Sequence, residues 1–149
     1  MVGMYFVNRE KIEEILLFME KQLSLLEETE KWETPIEKAA LERVCHTIIE
    51  GILDVGNLMI DGFIMRDPGS YEDIIDILND EKVIPDQMSK SLKIIVNYRK
   101  EIVRGYTSIE HNNMLQTFLK QKEILKEFGP KVREYLMNQL GAVTAFKPS

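Results

Sequence analysis

The sequence predicts an all-α protein, an antiparallel up-and-down bundle of about five helices. Three observations predict it. Apolar residues recur at three- and four-residue spacing through nearly every long segment. Only 8 Gly and 5 Pro punctuate the 149 residues, too few for a chain of short strands and turns. Connections between the periodic stretches are short, which sets consecutive helices side by side and antiparallel.

The first helix is predicted from Asn8 to about Lys31, with Ile12, Ile15, Leu16, Met19, Leu23 and Leu26 on one apolar stripe. Thr34-Pro35-Ile36-Glu37 marks the next start: Thr34 caps, Pro35 takes the first helical position, and Glu37 closes a capping box. The second helix should run to about Met65 and turn Leu41, Val44, Ile48, Ile52, Val55, Met59 and Phe63 to one side. Asp67-Pro68-Gly69 ends it, and Ser70 caps a short helix around Ile74, Ile75 and Leu78. Pro85 opens a fourth helix that should reach about Arg104, with Gly105 in the glycine position past its end. Thr107-Ser108-Ile109-Glu110 reads as a second capping box. It starts the last long helix, with Met114, Phe118, Leu125, Phe128, Val132 and Leu136 as its stripe. Pro130 lacks an N–H and is expected to kink or break that helix near Phe128.

Length argues for a single domain over 1–149, with 1–7 as an N-terminal arm and 141–149 as a frayed tail. Met4 would serve as initiator as well as Met1. Hydrophobic residues are 44% and charged residues 30%, enough apolar surface to fold. The net charge of −6 repels nucleic acid overall, so such a partner needs a local basic patch. The lone Cys45 excludes an internal disulfide and a multi-cysteine metal cluster. The apolar start lacks a basic leading region and soon meets Arg9 and Glu10, so no signal peptide is expected, and no run reaches membrane-spanning length. The expected location is cytoplasmic, with neither membrane nor DNA as partner. There is no glycine-rich phosphate loop, His-Glu-x-x-His pair or Asp-x-Asp calcium loop, so neither metal nor cofactor is expected.

Function is sought where polar residues interrupt apolar faces. Stepping the fourth helix at about 100° per residue puts Met88, Leu92, Ile95, Ile102 and Val103 on one face, with Arg99 in its middle. An unpaired buried guanidinium is costly, so Arg99 either reaches the bundle edge or pairs with an acid. The second helix offers such acids. Arg43, His46, Glu50, Asp54, Asn57 and Asp61 lie within about 80° opposite its apolar side. That row is either a solvated face or the lining of a polar cleft or dimer seam. Between Ser89 and Tyr106 the charge is five minus one, +4, from Lys90, Lys93, Arg99, Lys100 and Arg104 against Glu101. Lys90, Lys93, Lys100 and Arg104 share a face with Asn97, which could track a phosphate backbone or answer the helix dipole. Cys45 and His46 are adjacent, and adjacent helical residues diverge by about 100°, which argues against a thiol–imidazole pair.

Three blocks in order, Glu42-Arg43 to Glu50-Gly51-Ile52-Leu53-Asp54-Val55-Gly56, Pro68-Gly69-Ser70-Tyr71, and Tyr98-Arg99-Lys100 to Arg104-Gly105-Tyr106, resemble the HepT-like branch of the HEPN superfamily. The resemblance covers about residues 8 to 140. It implies an all-helical bundle, a homodimer, and a metal-independent endoribonuclease toxin. It also implies a nucleotidyltransferase antitoxin that silences the toxin by adding AMP to a tyrosine. The family signature, Arg-x4-His-x-Tyr, carries over as Arg99 for the arginine and Tyr106 for the modified tyrosine. Lys100 stands where Asn is common, and Arg104 stands in the histidine position.

Arg104 changes the chemistry. RNA cleavage needs a group that takes the 2′-hydroxyl proton or protonates the leaving oxygen, and imidazole titrates in the right range. Arginine stays protonated, so Arg104 can hold a phosphate but cannot act as a base. Loss of acid–base help costs about 10²–10⁴ in rate. Two readings result. In one, the chain is RNA-directed or regulatory with weak or lost ribonuclease activity. In the other it is an active toxin silenced at Tyr106. Arg99 and Arg104 would hold phosphate, Arg43, Glu50 and Asp54 would support the cleft, and Lys90, Lys93 and Lys100 would contact RNA. His111 could replace the missing imidazole only if the junction before it folded back.

Overall fold

The computed structural model describes residues 6–141, which form seven helices and no strand. In order these are α1 (Arg9–Glu28), α2 (Pro35–Gly62), α3 (Tyr71–Asp80), α4 (Asp86–Val96), α5 (Tyr98–Val103), α6 (His111–Lys120) and α7 (Lys122–Leu140). They make an antiparallel helical bundle centred on α2, which packs against α1, α3, α4, α5 and α6. Every stripe residue named for the second and last helices is buried, as are Ile12, Leu16, Met19, Leu23 and Leu26 of α1. These residues belong to a single contiguous core.

The five expected rods are present, and two of them are divided. The fourth divides at Asn97, which keeps right-handed helical dihedrals (φ −64°, ψ −21°) and so is a joint, not a turn. The fifth divides at Gln121, whose N–H is shared between the Thr117 and Phe118 carbonyls at 3.1 Å each. Pro130, expected to break the helix, lies inside a continuous α7. Proline clashes with the Cβ of the residue before it, and Gly129 has none.

The α2 capping box forms as expected: Thr34 Oγ1 accepts from the Glu37 N–H at 3.1 Å, and Glu37 accepts from the Thr34 N–H at 2.9 Å. The second box does not form. α6 starts only at His111, and the Glu110 N–H donates to Glu101 Oε2 at 3.0 Å. α2 ends at Gly62, before Met65, because Ile64 takes φ 56° and the Met65 N–H turns back to the Ile60 carbonyl. Gly105 stands one residue past the α5 cap, but without positive φ; its place is set by close approach to the Glu101 carbonyl, 3.3 Å from where a Cβ would lie. Val7, assigned to the arm, is buried against Gly62. The rest of the arm (1–5), Met4 as initiator, and the tail beyond Gly141 lie outside the described residues.

Candidate functional site

The α2 face opposite the core is a row of acids and one imidazole, and the chain that follows α4 lies across it. Arg99, second residue of α5, donates from Nε to Glu50 Oε2 at 2.7 Å. Its guanidinium carbon stands 4.5 Å from the centre of the Tyr71 ring, a cation–π contact from the first residue of α3. Arg99 is thus the paired arginine, with its side chain 26% exposed. The Glu50 bond and carboxylate charge raise the guanidinium's affinity for its proton. Its two Nη groups make no hydrogen bond among the described residues.

His46 lies one turn before Glu50, its Nε2 3.5 Å from the same Oε2. One carboxylate oxygen therefore faces a guanidinium and an imidazole together. Asp54, one turn after Glu50, is exposed, and burial of part of the carboxyl, then the charge of Glu50, pushes its pKa above the ordinary carboxylate value. The α2 row thus divides: Glu50 is covered by α5, while Arg43, Asp54, Asn57 and Asp61 face solvent.

The Arg99–Glu50 pair joins two hollows. One, of about 250 Å³, is lined by Tyr71, Val96, Asn97, Arg99, Lys100, Val103 and Arg104. The other, of about 540 Å³, lies between α1 and α2, with Glu50, Gly51 and Asp54 on one wall and Glu14, Phe18 and Lys21 on the other. The structure therefore brings Arg99, Lys100 and Arg104 to one hollow. Arg104, the α5 cap, has no ion-pair partner among the described residues. Arg43 and Lys90 are exposed and line neither hollow. Lys93 is bound in an ion pair to Asp76 of α3. Tyr106 is 66% exposed in the turn after α5.

The junction before α6 does fold back. His111 Nε2 lies 2.6 Å from Glu42 Oε2, so this imidazole meets a different acid of the α2 row, two turns from Glu50. Cys45 is fully buried, and burial pushes its thiol pKa far above the ordinary value, which removes it from any thiol chemistry. The turn into α3 is fixed by Asp73, which accepts two bonds from Arg66 at 2.8 Å each and one from the Gly69 N–H at 2.8 Å. That turn sets Tyr71 beneath Arg99.

Two functional contacts were missed by the pattern analysis. His46 was placed in a polar row and weighed against Cys45, although its i, i+4 spacing to Glu50 was available as a signal. Tyr71 belonged to a resemblance block without any assigned chemistry, and nothing in its local sequence places it under an arginine nearly thirty residues away.

The ribonuclease HepT-like family model matches residues 9–132. This chain belongs to the HepT-like ribonuclease family. It is 46% identical over 144 residues to a Bacillus subtilis (strain 168) protein named "Putative RNase YutE", covering 97% of this chain and 100% of the relative. A solved structure of YutE from Bacillus subtilis, described as a cytosolic protein of unknown function, superposes with a TM-score of 0.91 at 45% identity, covering 95% of this chain and 99% of that one. The bundle is accordingly HEPN-like, as the resemblance implied. No described helix is long and apolar enough to cross a membrane.

Proposed function

We propose that this HepT-like chain cleaves RNA without a metal ion, at a site centred on Arg99. The observation that carries the reading is the Arg99 environment: Glu50 and Tyr71 fix the guanidinium, and its free Nη groups share a hollow with the unpaired Arg104. One guanidinium held in place and a second beside it bind a phosphodiester and stabilise charge that develops on it during cleavage. Lys100 adds a third cation at the hollow, and Lys90 extends the patch along α4.

Arg104 itself exchanges no proton, which favours a second reading in which RNA binding persists and cleavage is weak or lost. Further parts of the proposal are a homodimer, a cleft supported by Arg43, Glu50 and Asp54, a cytoplasmic location, and a single-domain organisation. The 66% exposure of Tyr106 makes its hydroxyl accessible to a nucleotidyltransferase antitoxin, which supports its role as AMP acceptor.

The deciding experiment incubates the purified protein with single-stranded and structured RNA in EDTA, beside Arg99→Ala. Cleavage by the wild type that Arg99→Ala abolishes supports the enzyme reading. RNA binding with no cleavage by either protein supports the second reading, and neither binding nor cleavage overturns both.

A further inference from the structure

We propose that His46 is a catalytic residue of this site, the general base that takes the 2′-hydroxyl proton; the inference rests on the ribonuclease reading above. The geometry is that of one carboxylate holding two groups. Glu50 Oε2 lies 2.7 Å from Arg99 Nε and 3.5 Å from His46 Nε2, so the two nitrogens are at most the sum of those distances apart, about 6 Å. A ribose 2′-hydroxyl lies beside its own 3′-phosphate, so a phosphate on Arg99 puts that hydroxyl within reach of an imidazole at this range.

The carboxylate also selects the tautomer. A carboxylate beside Nε2 favours the tautomer protonated there, which leaves the lone pair on Nδ1. His46 Nδ1 has no hydrogen-bond partner among the described residues, and the side chain is 27% exposed beside, not within, the two hollows. His111, the chain's other histidine, is instead bound at 2.6 Å to Glu42. Arg104 cannot serve as the base.

In the step, the 2′-hydroxyl gives its proton to His46 Nδ1 as its oxygen bonds to phosphorus. The bond from phosphorus to the 5′-oxygen breaks, and that oxygen takes a proton from water. The resulting hydroxide recovers the proton from the imidazolium. The products are a 2′,3′-cyclic phosphate and a 5′-hydroxyl end, and Arg99 and Arg104 carry the charge on the phosphoryl oxygens meanwhile.

The charged groups around His46 come from several elements. Glu42 and Glu50 flank it by one turn on α2, and Arg99 from α5 shares Glu50. From α6 comes His111 on Glu42, and from α1 come Glu14 and Lys21 at the hollow that Glu50 lines. Tyr71 of α3 and Asn97 at the end of α4 lie on the Arg99 side.

The test compares RNA cleavage by the wild type, His46→Ala, His46→Gln and His111→Gln, with Arg99→Ala as the inactive control. We expect His46→Ala and His46→Gln to lose about 10²–10⁴ in kcat and to retain RNA binding. Free imidazole should restore cleavage at least tenfold to His46→Ala and not to Arg99→Ala. The wild-type rate should also fall on the acid side as an imidazole protonates. His111→Gln acts only through the loop it tethers, so free imidazole should not change its rate. Cleavage by both His46 variants at the wild-type rate overturns the assignment, and so does loss that imidazole does not rescue. A flat acid side in the wild type overturns it even if both variants fail to fold. An inactive wild type removes the ribonuclease reading and this inference with it, whereas an active wild type with unaffected His46 variants removes the inference alone.

Discussion

Glu50→Gln keeps the size of the side chain and removes its charge, so it isolates what the carboxylate does for Arg99. At 2.7 Å, two unit charges in a medium of effective dielectric about 20 attract by roughly 6 kcal/mol. Most of that is offset, because the side chains are 26% and 35% exposed and water competes for both charges. What survives lies between a surface ion pair and a bond to a buried charge, about 1–2 kcal/mol. For a chain of this length each kcal/mol moves the melting midpoint by about 2–4 °C, so a fall of about 2–8 °C is expected.

A double-mutant cycle with Arg99→Met, read by thermal denaturation, assigns the loss to the pair. Coupling near 1 kcal/mol is expected, and additivity within about 0.3 kcal/mol would refute the calculation. RNA adds a second readout of opposite sign. Without the competing carboxylate, Arg99 should bind phosphate severalfold more tightly in an anisotropy titration, while turnover falls as His46 loses its partner. Weaker RNA binding by Glu50→Gln would mean that Glu50 and phosphate do not compete for Arg99.

Three more outcomes follow from the same geometry. Burial and Glu50 hold the Asp54 carboxyl above its ordinary value of 3.8, so its ionisation opposes folding above that range and costs nothing below it. Asp54→Asn should therefore raise Tm at pH 7 and leave it unchanged near pH 3, and equal shifts at both would contradict this. Arg66 and the Gly69 N–H hold Asp73 down at about 2, so its contribution is complete above 3.8 and is lost as pH falls through about 2. Amide exchange at the start of α3 should accelerate over that interval, and Asp73→Asn should abolish the transition. Gly56→Ala would place a Cβ against Ile74 Cγ2, a stiff β-branched contact. Overpacking of about 1–3 kcal/mol against about 1 kcal/mol gained in helix propensity gives a net loss of about 1 kcal/mol, with a Tm that rises instead counting against the contact.

The fold was legible because burial follows periodicity. The stripe from Leu41 to Phe63 and that from Met114 to Leu136 are wholly in the core, and the Thr34 box forms as written. Signals that depend on neighbours were less legible. Pro130 is tolerated because Gly129 precedes it, and Thr107 fails to cap because Glu101, from the preceding helix, takes the Glu110 N–H. At the site, the sequence exposed Arg99 as a charge on an apolar face and offered Glu50 among several acids. Which acid meets it depends on how α5 crosses α2, and a single-helix projection cannot reach that angle. Lys93 shows the converse: it shares the face of the basic island, yet Asp76 of α3 occupies it.

The α2 row also accounts for the state of the segment between α5 and α6. Glu42 and Glu50 are eight residues apart, about 12 Å along the helix, and they hold His111 and Arg99 respectively. The thirteen residues from Arg99 to His111 are thus fixed to one rigid helix at both ends, and the Glu101–Glu110 bond closes the loop between them. A segment tethered in this way, with Ile102 and Ile109 in the core, keeps its backbone in place while Arg104 and Tyr106 stand exposed inside it. Charge on α2 therefore positions Arg104 and Tyr106 without touching either. Neutralising Glu42 should loosen the His111 end of the loop, and neutralising Glu50 should loosen the Arg99 end, freeing the guanidinium for phosphate at the cost of its fixed position.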